Sequence, residues 1–231
     1  IYQRQYFSAA LQASYEGAAD YILNYTFSGT DSELGEITEA NAYKLLEQKG
    51  YLASCIAAKD IVSDSANYSQ NAFNELTQSH TTAESEFVYS VESGGKRIAM
   101  FLESSYWEPE AYLTFDEMAG FNENYGYGKR NFAFMSMPKF KGVSGIEDTD
   151  NEKTTLFGDG STKCVVINKA SEQKELAKDF FRFIHTRHAN AVFTAKSNTF
   201  RPFTYAMTEE EYAMLTPFMK TVVDRVTDTE N

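Results

Sequence analysis

The residues best suited to binding chemistry lie together at Tyr106, Trp107 and Glu108. A sugar ring has an apolar C–H face that stacks on an aromatic side chain, while its hydroxyl groups need fixed polar partners. Trp107 is the only tryptophan of the chain. Its ring could stack on a ligand, or it could be a core residue at the end of a strand. Because side chains alternate along a strand, Tyr106 and Trp107 point to different sides. The residues alone therefore leave a ligand site centred on Trp107 and a core position both open, with Tyr106 and Glu108 as weaker site candidates.

Two further side chains that could contact a ligand lie farther along the chain. Tyr127 stands between glycines in a loop, where its ring adds stacking surface or is simply packed. Arg201 precedes a proline and offers a planar fork of donors to hydroxyl or carboxylate groups, although a surface ion pair explains it equally well. We include both residues in the predicted ligand site.

Carboxylates suggest a rival, hydrolytic chemistry. Glycosidases use two carboxyl groups at fixed separations, and Glu103, Glu108, Glu110 and Asp159 are of the right type. Nothing in their spacing establishes those separations, and acidic side chains are abundant throughout the chain. Binding without bond cleavage is therefore the preferred interpretation, and hydrolysis the alternative.

The sequence contains no motif that predicts a metal or cofactor site. His185 and His188 are three residues apart near a predicted helix end, a position that the helix dipole favours for histidine without any metal. No zinc, nucleotide-binding or nucleophile-elbow motif is present. We expect neither a metal nor a cofactor.

Composition limits the classes of partner. The chain has 231 residues, of which 42% are hydrophobic, enough for a substantial core. Its formal charge of −12 repels nucleic acids and anionic membranes, although solubility alone also explains an acidic surface. No apolar run is long enough to span a bilayer, and the missing start methionine suggests a mature or excised fragment. Cys55 and Cys164 are interpreted as two free, buried thiols.

Helical patterns dominate the first part of the chain. A crude apolar stripe predicts a helix over residues 2–25, and a second helix is predicted at 38–49, with Gly50 at the C-terminal glycine position. A third helical region is predicted at 71–92. Near the other end, residues 208–211 form a capping box, and Pro217 is expected to kink the helix that follows.

Three short apolar runs predict strands. They cover residues 97–102, 131–137 and 163–168, and Pro138 ends the second. The polar, glycine-containing stretch at 139–160 predicts an exposed loop. Helices mixed with short strands indicate an α/β or α+β fold.

The third strand belongs to a recognisable unit. It runs through an Asn-Lys-Ala-Ser turn, with Ser171 as N-cap, into an amphipathic helix whose apolar stripe contains Leu176, Phe180, Phe183 and Ile184. Upstream, a Gly-Gly-Lys turn leads a strand into Tyr106 and Trp107. In this order and separation, the two segments resemble the extracellular solute-binding proteins of ABC importers, the family that includes maltodextrin-binding proteins. The resemblance covers residues 40–202, but the Asn-Gly turn of that family is replaced here by residues 103–107.

The resemblance implies a fold and a site. It implies an α/β, helix-rich fold of the periplasmic-binding-protein type II, present here as an incomplete two-lobed architecture. Residues 1–231 would be the C-terminal portion, mainly one lobe, with crossing segments near 131–138 and 160–202. In that family the tryptophan position stacks on the ligand, and Asp159 and Gly160 precede a crossing strand where backbone approaches the ligand. An ordinary turn is the alternative for these two residues.

The resemblance also implies a function. The protein would capture a sugar or oligosaccharide by aromatic stacking and hinge closure, and would deliver it to the membrane permease of the transporter. It would be a monomer outside the cell, either a membrane-anchored lipoprotein or periplasmic. The alternatives are the carbohydrate-active hydrolase and a lobe that binds no solute and serves as a surface interaction domain.

Overall fold

A computed structural model of the chain defines its fold. It describes residues 4–28, 32, 34–69, 71, 78–92, 97–135, 144–145, 148 and 165–227. Within these ranges the regular structure is helical and no residue belongs to a β-sheet. The predicted α/β fold of the periplasmic-binding-protein type is therefore wrong for the described part of the chain. The predicted arrangement in lobes, with its crossing segments, stays a prediction.

The first helical layer consists of two packed helices. Helix α1 spans Arg4–Thr26 and helix α2 spans Lys49–Ser63, with a 3₁₀ turn at Ala42–Glu47 between them. Gly17 interrupts α1 with φ 80° and ψ 170°, a conformation open to glycine but strained for other residues. The two helices bury a small apolar cluster, formed by Phe7, Leu11, Tyr15, Ala53 and Ala57.

A buried glutamine fixes α2 against α1. The Gln48 side chain accepts hydrogen bonds from Gln12 Nε2 at 2.7 Å and Asn24 Nδ2 at 3.0 Å, and donates to the Asp20 carbonyl at 2.9 Å. The predicted helix over 2–25 is confirmed. The helix predicted to end at Gly50 is wrong, because Gly50 lies in the first turn of α2, where its N–H donates to the carboxylate of Glu16.

The remaining helices surround a larger core that is rich in aromatic residues. Its fully buried members include Val88, Phe115, Met118 and Met219. The helices are α3 (His80–Tyr89), α4 (Trp107–Glu110), α5 (Tyr112–Phe121), α6 (Lys174–Ile184), α7 (Arg187–Ser197), α8 (Glu209–Ala213) and α9 (Pro217–Thr227), with 3₁₀ turns at Ser65–Asn67 and Glu123–Tyr125.

The predicted strands are not observed. Residues 97–104, 131–135 and 165–168 have no regular secondary structure, and no ladder of backbone hydrogen bonds joins them within the described ranges. Side-chain packing maintains two of them, because Phe101 and Phe132 contact the aromatic core. The Phe134 N–H donates to Thr221 Oγ1 of α9 at 2.8 Å, so a helix side chain takes the place of a neighbouring strand.

Of three predictions about helix ends, the capping box is correct, whereas the kink at Pro217 and the N-cap at Ser171 are wrong. The capping box is confirmed, since Thr208 Oγ1 accepts from the Glu211 N–H at 3.2 Å and the Glu211 carboxylate accepts from the Thr208 N–H at 2.8 Å. Pro217 begins α9 instead of kinking a longer helix, because it occupies the first position, where no N–H is needed. The N-cap of α6 is Gln173, and Ser171 Oγ accepts from the Gln173 N–H at 3.2 Å.

Two further expectations concern solvent and membrane exposure. Cys55 is exposed on α2, so the prediction that it is buried is wrong, and Cys164 lies outside the described residues. Within the described ranges, none of the helices combines the length and apolar character required to cross a bilayer.

Candidate functional site

Trp107 lies in the centre of the aromatic core. Only 4% of the residue is exposed, and its indole packs against five phenylalanine rings at centroid distances of 5.0–5.9 Å. These rings belong to Phe87, Phe101, Phe115, Phe132 and Phe218. An indole surrounded in this way has no free face for a ligand to stack on. Trp107 is therefore a core residue, which was the alternative interpretation of its sequence position.

Tyr106 and Arg201 lie on a neighbouring part of the molecule. Tyr106 is exposed and lies near the buried Tyr205, whose pKa is raised mainly by burial and only slightly by Tyr106. Arg201 Nη1 donates to the Ile184 carbonyl at 3.1 Å, and its guanidinium lies 4.1 Å from the centre of the Phe193 ring. Arg201 therefore joins the end of α6 to α7, and part of its donor fork is already engaged.

Glu108 and Tyr127 are brought together by a hydrogen-bonded network. Glu108 is fully buried on α4, and its Oε2 accepts from the Thr216 hydroxyl at 2.6 Å. The Thr216 N–H donates in turn to Asn198 Oδ1 at 2.7 Å, and the Asn198 side chain lies close enough to the Tyr127 phenol to lower its pKa against the opposing effect of burial. Four elements thus converge on one polar cluster, which we call the Glu108 network: Glu108, Tyr127, Asn198 and Thr216.

Burial shifts the proton equilibria of this network. Desolvation raises the pKa of Glu108, and the Thr216 hydrogen bond partly opposes that rise. The pKa of Tyr127 is raised to about 12, mainly by burial and then by the nearby Glu108 carboxylate. Glu108 Oε1 has no hydrogen-bond partner among the described residues. The network therefore retains one unused acceptor.

An aromatic pair covers the solvent side of the network. The rings of Tyr112 and Tyr127 lie 5.4 Å apart, and Phe115 contacts Tyr127 from the core side at 6.0 Å. Tyr112 is 51% exposed and Tyr127 is partly buried. We call Tyr112 and Tyr127 the tyrosine pair. It offers an accessible aromatic surface directly beside fixed polar groups.

Gly128 allows the backbone to pass close to the network. Its φ is +66°, and a Cβ at this position would lie 3.1 Å from Thr216 Cγ2. A side chain here would be strained by the backbone and would press on Thr216. Glycine therefore sets the position of Tyr127 relative to Thr216.

A second cluster consists of carboxyl groups. Glu84 of α3 is fully buried, and no N–H or O–H donor in the described ranges reaches its oxygens. Its carboxyl is within hydrogen-bond reach of the Glu110 carboxyl, and Glu103 is also nearby. Burial first, and then these two like charges, raise the Glu84 pKa to about 8. The carboxyl cluster of Glu84, Glu103 and Glu110 therefore holds a proton at neutral pH.

The other residues named from the sequence are accounted for as follows. Asp159 and Gly160 lie outside the described residues. His185 Nδ1 lies 2.7 Å from the Phe181 carbonyl, and its ring packs on Phe203 at 4.8 Å. In the part of the chain that the structure describes, no group of three histidine, cysteine or acidic side chains is arranged to hold a metal ion.

Sequence reasoning missed Glu84, Asn198 and Thr216 of the two clusters, and Tyr112 of the tyrosine pair. Glu84 stands at helical spacing from Phe87 and Val88, so a carboxyl on the apolar face of a helix was a detectable signal. Asn198 adopts φ 48° as the C-cap of α7, a position that asparagine tolerates well. Tyr112 and Thr216 carried no comparable signal, because their positions depend on contacts between distant segments.

Comparison of the chain with protein-family models, with curated proteins and with solved structures gave no match. The site is therefore interpreted from its own geometry and from the sequence resemblance.

Proposed function

We propose that the chain is the substrate-binding component of an ABC importer, which captures a neutral sugar or oligosaccharide without breaking a bond. The observation that carries the proposal is the exposed tyrosine pair beside the Glu108 network. The resemblance of residues 94–108 and 163–186 to solute-binding proteins supports the same class of function.

The chemistry of the pair suits a sugar. The exposed Tyr112 ring can stack on the C–H face of a pyranose, and Tyr127 adds a second aromatic surface at its edge. The Tyr127 hydroxyl lies beside the Asn198 side chain and can both donate a hydrogen bond to a sugar hydroxyl and accept one from it. The acidic surface of the protein does not repel a neutral guest.

Trp107 acquires a different role in this proposal. Its ring contacts Phe115 at 5.9 Å, and Phe115 contacts Tyr127, so the indole supports the tyrosine pair from within the core. Stacking would occur on Tyr112 and Tyr127 instead of on Trp107. The emission of Trp107 becomes a remote reporter of occupancy.

The proposed partners and location are those of substrate-binding components of ABC importers. The protein would be a monomer outside the cell, anchored as a lipoprotein or periplasmic. It would close around its solute and present the closed form to the membrane permease.

A panel of neutral oligosaccharides tests the proposal. Calorimetric titration should show saturable binding of at least one of them, and the Tyr112→Ala variant should bind it at least tenfold more weakly, since about 1.4 kcal/mol corresponds to a factor of ten. Tyr43→Ala is the matched control, because Tyr43 is a similarly exposed tyrosine on the 3₁₀ turn before α2. Equal affinities of the two variants, or no binding to any sugar, would refute the proposal.

Hydrolysis is the second candidate, and one observation favours it. Glu84 holds a proton at neutral pH beside Glu110 and Glu103, as a general acid must. Glu108, also named for this chemistry, instead belongs to the separate Glu108 network. Chromatography of the same oligosaccharides after incubation with the protein distinguishes the two candidates. Shortened products that increase with protein concentration would show that the protein hydrolyses the sugar.

A further inference from the structure

The carboxyl cluster contains a buried acid whose oxygens are unused as acceptors. Glu84 is fully buried on α3, and neither Oε1 nor Oε2 accepts a hydrogen bond from a donor in the described ranges. Buried polar groups in folded proteins are nearly always hydrogen-bonded, and buried charges are paired. An orphaned carboxyl of this kind therefore points to a ligand that supplies donors.

Three separate segments bring carboxyl groups to this point. Glu84 lies in the middle of α3, Glu110 ends α4, and Glu103 belongs to the segment that precedes α4. The Glu84 carboxyl is within hydrogen-bond reach of the Glu110 carboxyl, and Glu103 lies close enough to raise the Glu84 pKa as well. Glu110 is exposed whereas Glu84 is not, so the cluster reaches the surface at Glu110.

Neighbouring contacts hold these segments in place. The hydroxyls of Ser85 and Thr114 lie 2.9 Å apart and join α3 to α5 directly beside Glu84. Trp107, three residues before Glu110, anchors α4 in the aromatic core. Groups that are positioned in advance bind a ligand at a lower cost in conformational entropy.

The surroundings of the cluster are acidic. The helices α3, α4 and α5 pack on one another here and contain no lysine or arginine. Arg97 shares a segment with Glu103, but it lies near Tyr125 and Arg130. A cationic ligand is therefore attracted to this part of the molecule. Apart from tyrosines, the titratable side chains of the three helices are His80 and six carboxyl groups: Glu84, Glu86, Glu108, Glu110, Asp116 and Glu117.

The arrangement of acceptors favours a primary ammonium group. An ammonium is a compact charge with three N–H donors, whereas a guanidinium is a flat fork that suits a single carboxylate. Three carboxyl groups from three segments match the three donors. A metal ion needs oxygens at about 2.0–2.6 Å, and in the part of the chain that the structure describes no group of acidic side chains is arranged to hold one. Hydrogen bonds from an ammonium to a carboxylate are longer, at about 2.7–2.9 Å.

We propose that the carboxyl cluster binds the primary ammonium group of an alkylamine, which is either a free amine or a lysine side chain of another polypeptide. Its three N–H groups would donate to Glu84, Glu103 and Glu110, and the exposed Glu110 side chain would turn to admit it. The proton held by Glu84 leaves to solvent as the ammonium enters, so the buried carboxylate is never left without a compensating charge. This site is separate from the tyrosine pair, and the proposal does not depend on sugar capture.

Calorimetric titration of the full chain at pH 7 tests the proposal. Butylamine is the probe, and 1-butanol and tetramethylammonium are control ligands, because the first lacks the charge and the second lacks N–H donors. We expect saturable binding of butylamine alone, weakened at least about tenfold in Glu84→Gln and in Glu110→Gln. Glu39→Gln is the matched control, because Glu39 lies exposed in a turn before α2, and it should bind within about twofold of the unmodified protein.

Proton release distinguishes this site from a surface ion pair. Because the Glu84 pKa is about 8, binding at pH 7 should release about one proton, measured from the binding enthalpies in buffers of different ionisation heat. The affinity should rise about tenfold from pH 7 to pH 9, where Glu84 is already largely ionised.

A second probe, Nα-acetyl-lysine amide, identifies the source of the ammonium group. Whichever of the two probes binds more tightly shows whether a free amine or a lysine side chain fits better. No binding of either probe would overturn the proposal. So would binding without proton release, binding that Glu84→Gln leaves unchanged, or equal binding of tetramethylammonium or Ca²⁺.

Discussion

The proton held by the carboxyl cluster leads to the sharpest stability prediction. The perturbation is Glu84→Gln, which keeps the shape of the side chain and removes its titration. Glu84 is fully buried, and the neighbouring carboxyls of Glu103 and Glu110 disfavour its charge. An amide at this position remains neutral at every pH and can donate a hydrogen bond to the Glu110 carboxylate.

Proton linkage gives the direction in which the free energy of unfolding changes with pH. The folded protein holds the Glu84 proton up to a pKa of about 8, whereas the unfolded chain releases it near the ordinary value of 4.5. Because the folded state binds more protons between these values, the free energy of unfolding falls as pH rises from about 4.5 to about 8. Above pH 8 this contribution is constant, and below 4.5 it is absent.

The shift in the Glu84 pKa also gives the size of this change in the free energy of unfolding. A change of pKa from 4.5 to about 8 corresponds to roughly 5 kcal/mol for an unscreened group, at about 1.4 kcal/mol per pH unit. Glu110 is exposed and Glu103 partly so, which means that water screens the cluster on one side. We therefore expect Glu84→Gln to gain about 2 kcal/mol relative to the unmodified protein between pH 5 and pH 8.5.

Urea denaturation followed by circular dichroism at 222 nm measures this difference, since the described fold is helical. Glu39→Gln is the control, because Glu39 lies exposed in a turn and its substitution changes surface charge without touching the cluster. A stability difference between Glu84→Gln and the unmodified protein that is the same at pH 5 and pH 8.5 would refute the reasoning.

Three other predictions concern stability and use the same denaturation assay. Trp107→Ala should lose about 3–5 kcal/mol, because the indole fills the centre of the core, and a loss below 1 kcal/mol would contradict that position. Thr208→Ala should lose about 1 kcal/mol with the capping box, and an unchanged midpoint would show that the cap contributes nothing. Gly128→Ala should lose at least about 1 kcal/mol because of its positive φ and its contact with Thr216. Gly120→Ala, in an open position on α5, should be neutral or stabilising by up to about 1 kcal/mol, and equal losses in both glycine variants would contradict this account.

Local sequence signals predicted the helical elements well. The capping box at Thr208 and the amphipathic period of α6 depend on residues three or four positions apart, so both are readable without knowledge of the fold. The helix ending expected at Gly50 failed because the Glu16 carboxylate, far away in sequence, holds that glycine inside a helix start. Distant contacts of this kind leave no local pattern.

The strands failed for a related reason. An apolar alternation predicts a β-strand, but residues 97–104 and 131–135 have no regular secondary structure. Pairing requires a second strand at the right distance, and here the side chains pack on helices, as the Phe134 N–H bond to Thr221 illustrates. Alternation alone therefore predicted that apolar side chains of these segments are packed, but the predicted strands themselves are wrong for the described residues.

The candidate site was predicted only in part. Glu108 and Tyr127 were named from the sequence, and the structure brings them into one network. Trp107 was given the central role on its type and position in the sequence, yet its surroundings are set by five phenylalanines from five separate segments. The exposed ring at Tyr112 depends on the orientation of α5, which no short-range pattern specifies.

Sugar capture at the tyrosine pair can be tested most directly by NMR of the protein with ¹³C-labelled tyrosine rings, titrated with the neutral oligosaccharides. The account predicts that the ring resonances of Tyr112 and Tyr127 shift together and saturably, while those of exposed tyrosines elsewhere, such as Tyr43 and Tyr51, stay in place. Shifts confined to other tyrosines, or no shift of Tyr112 with any sugar, would contradict it.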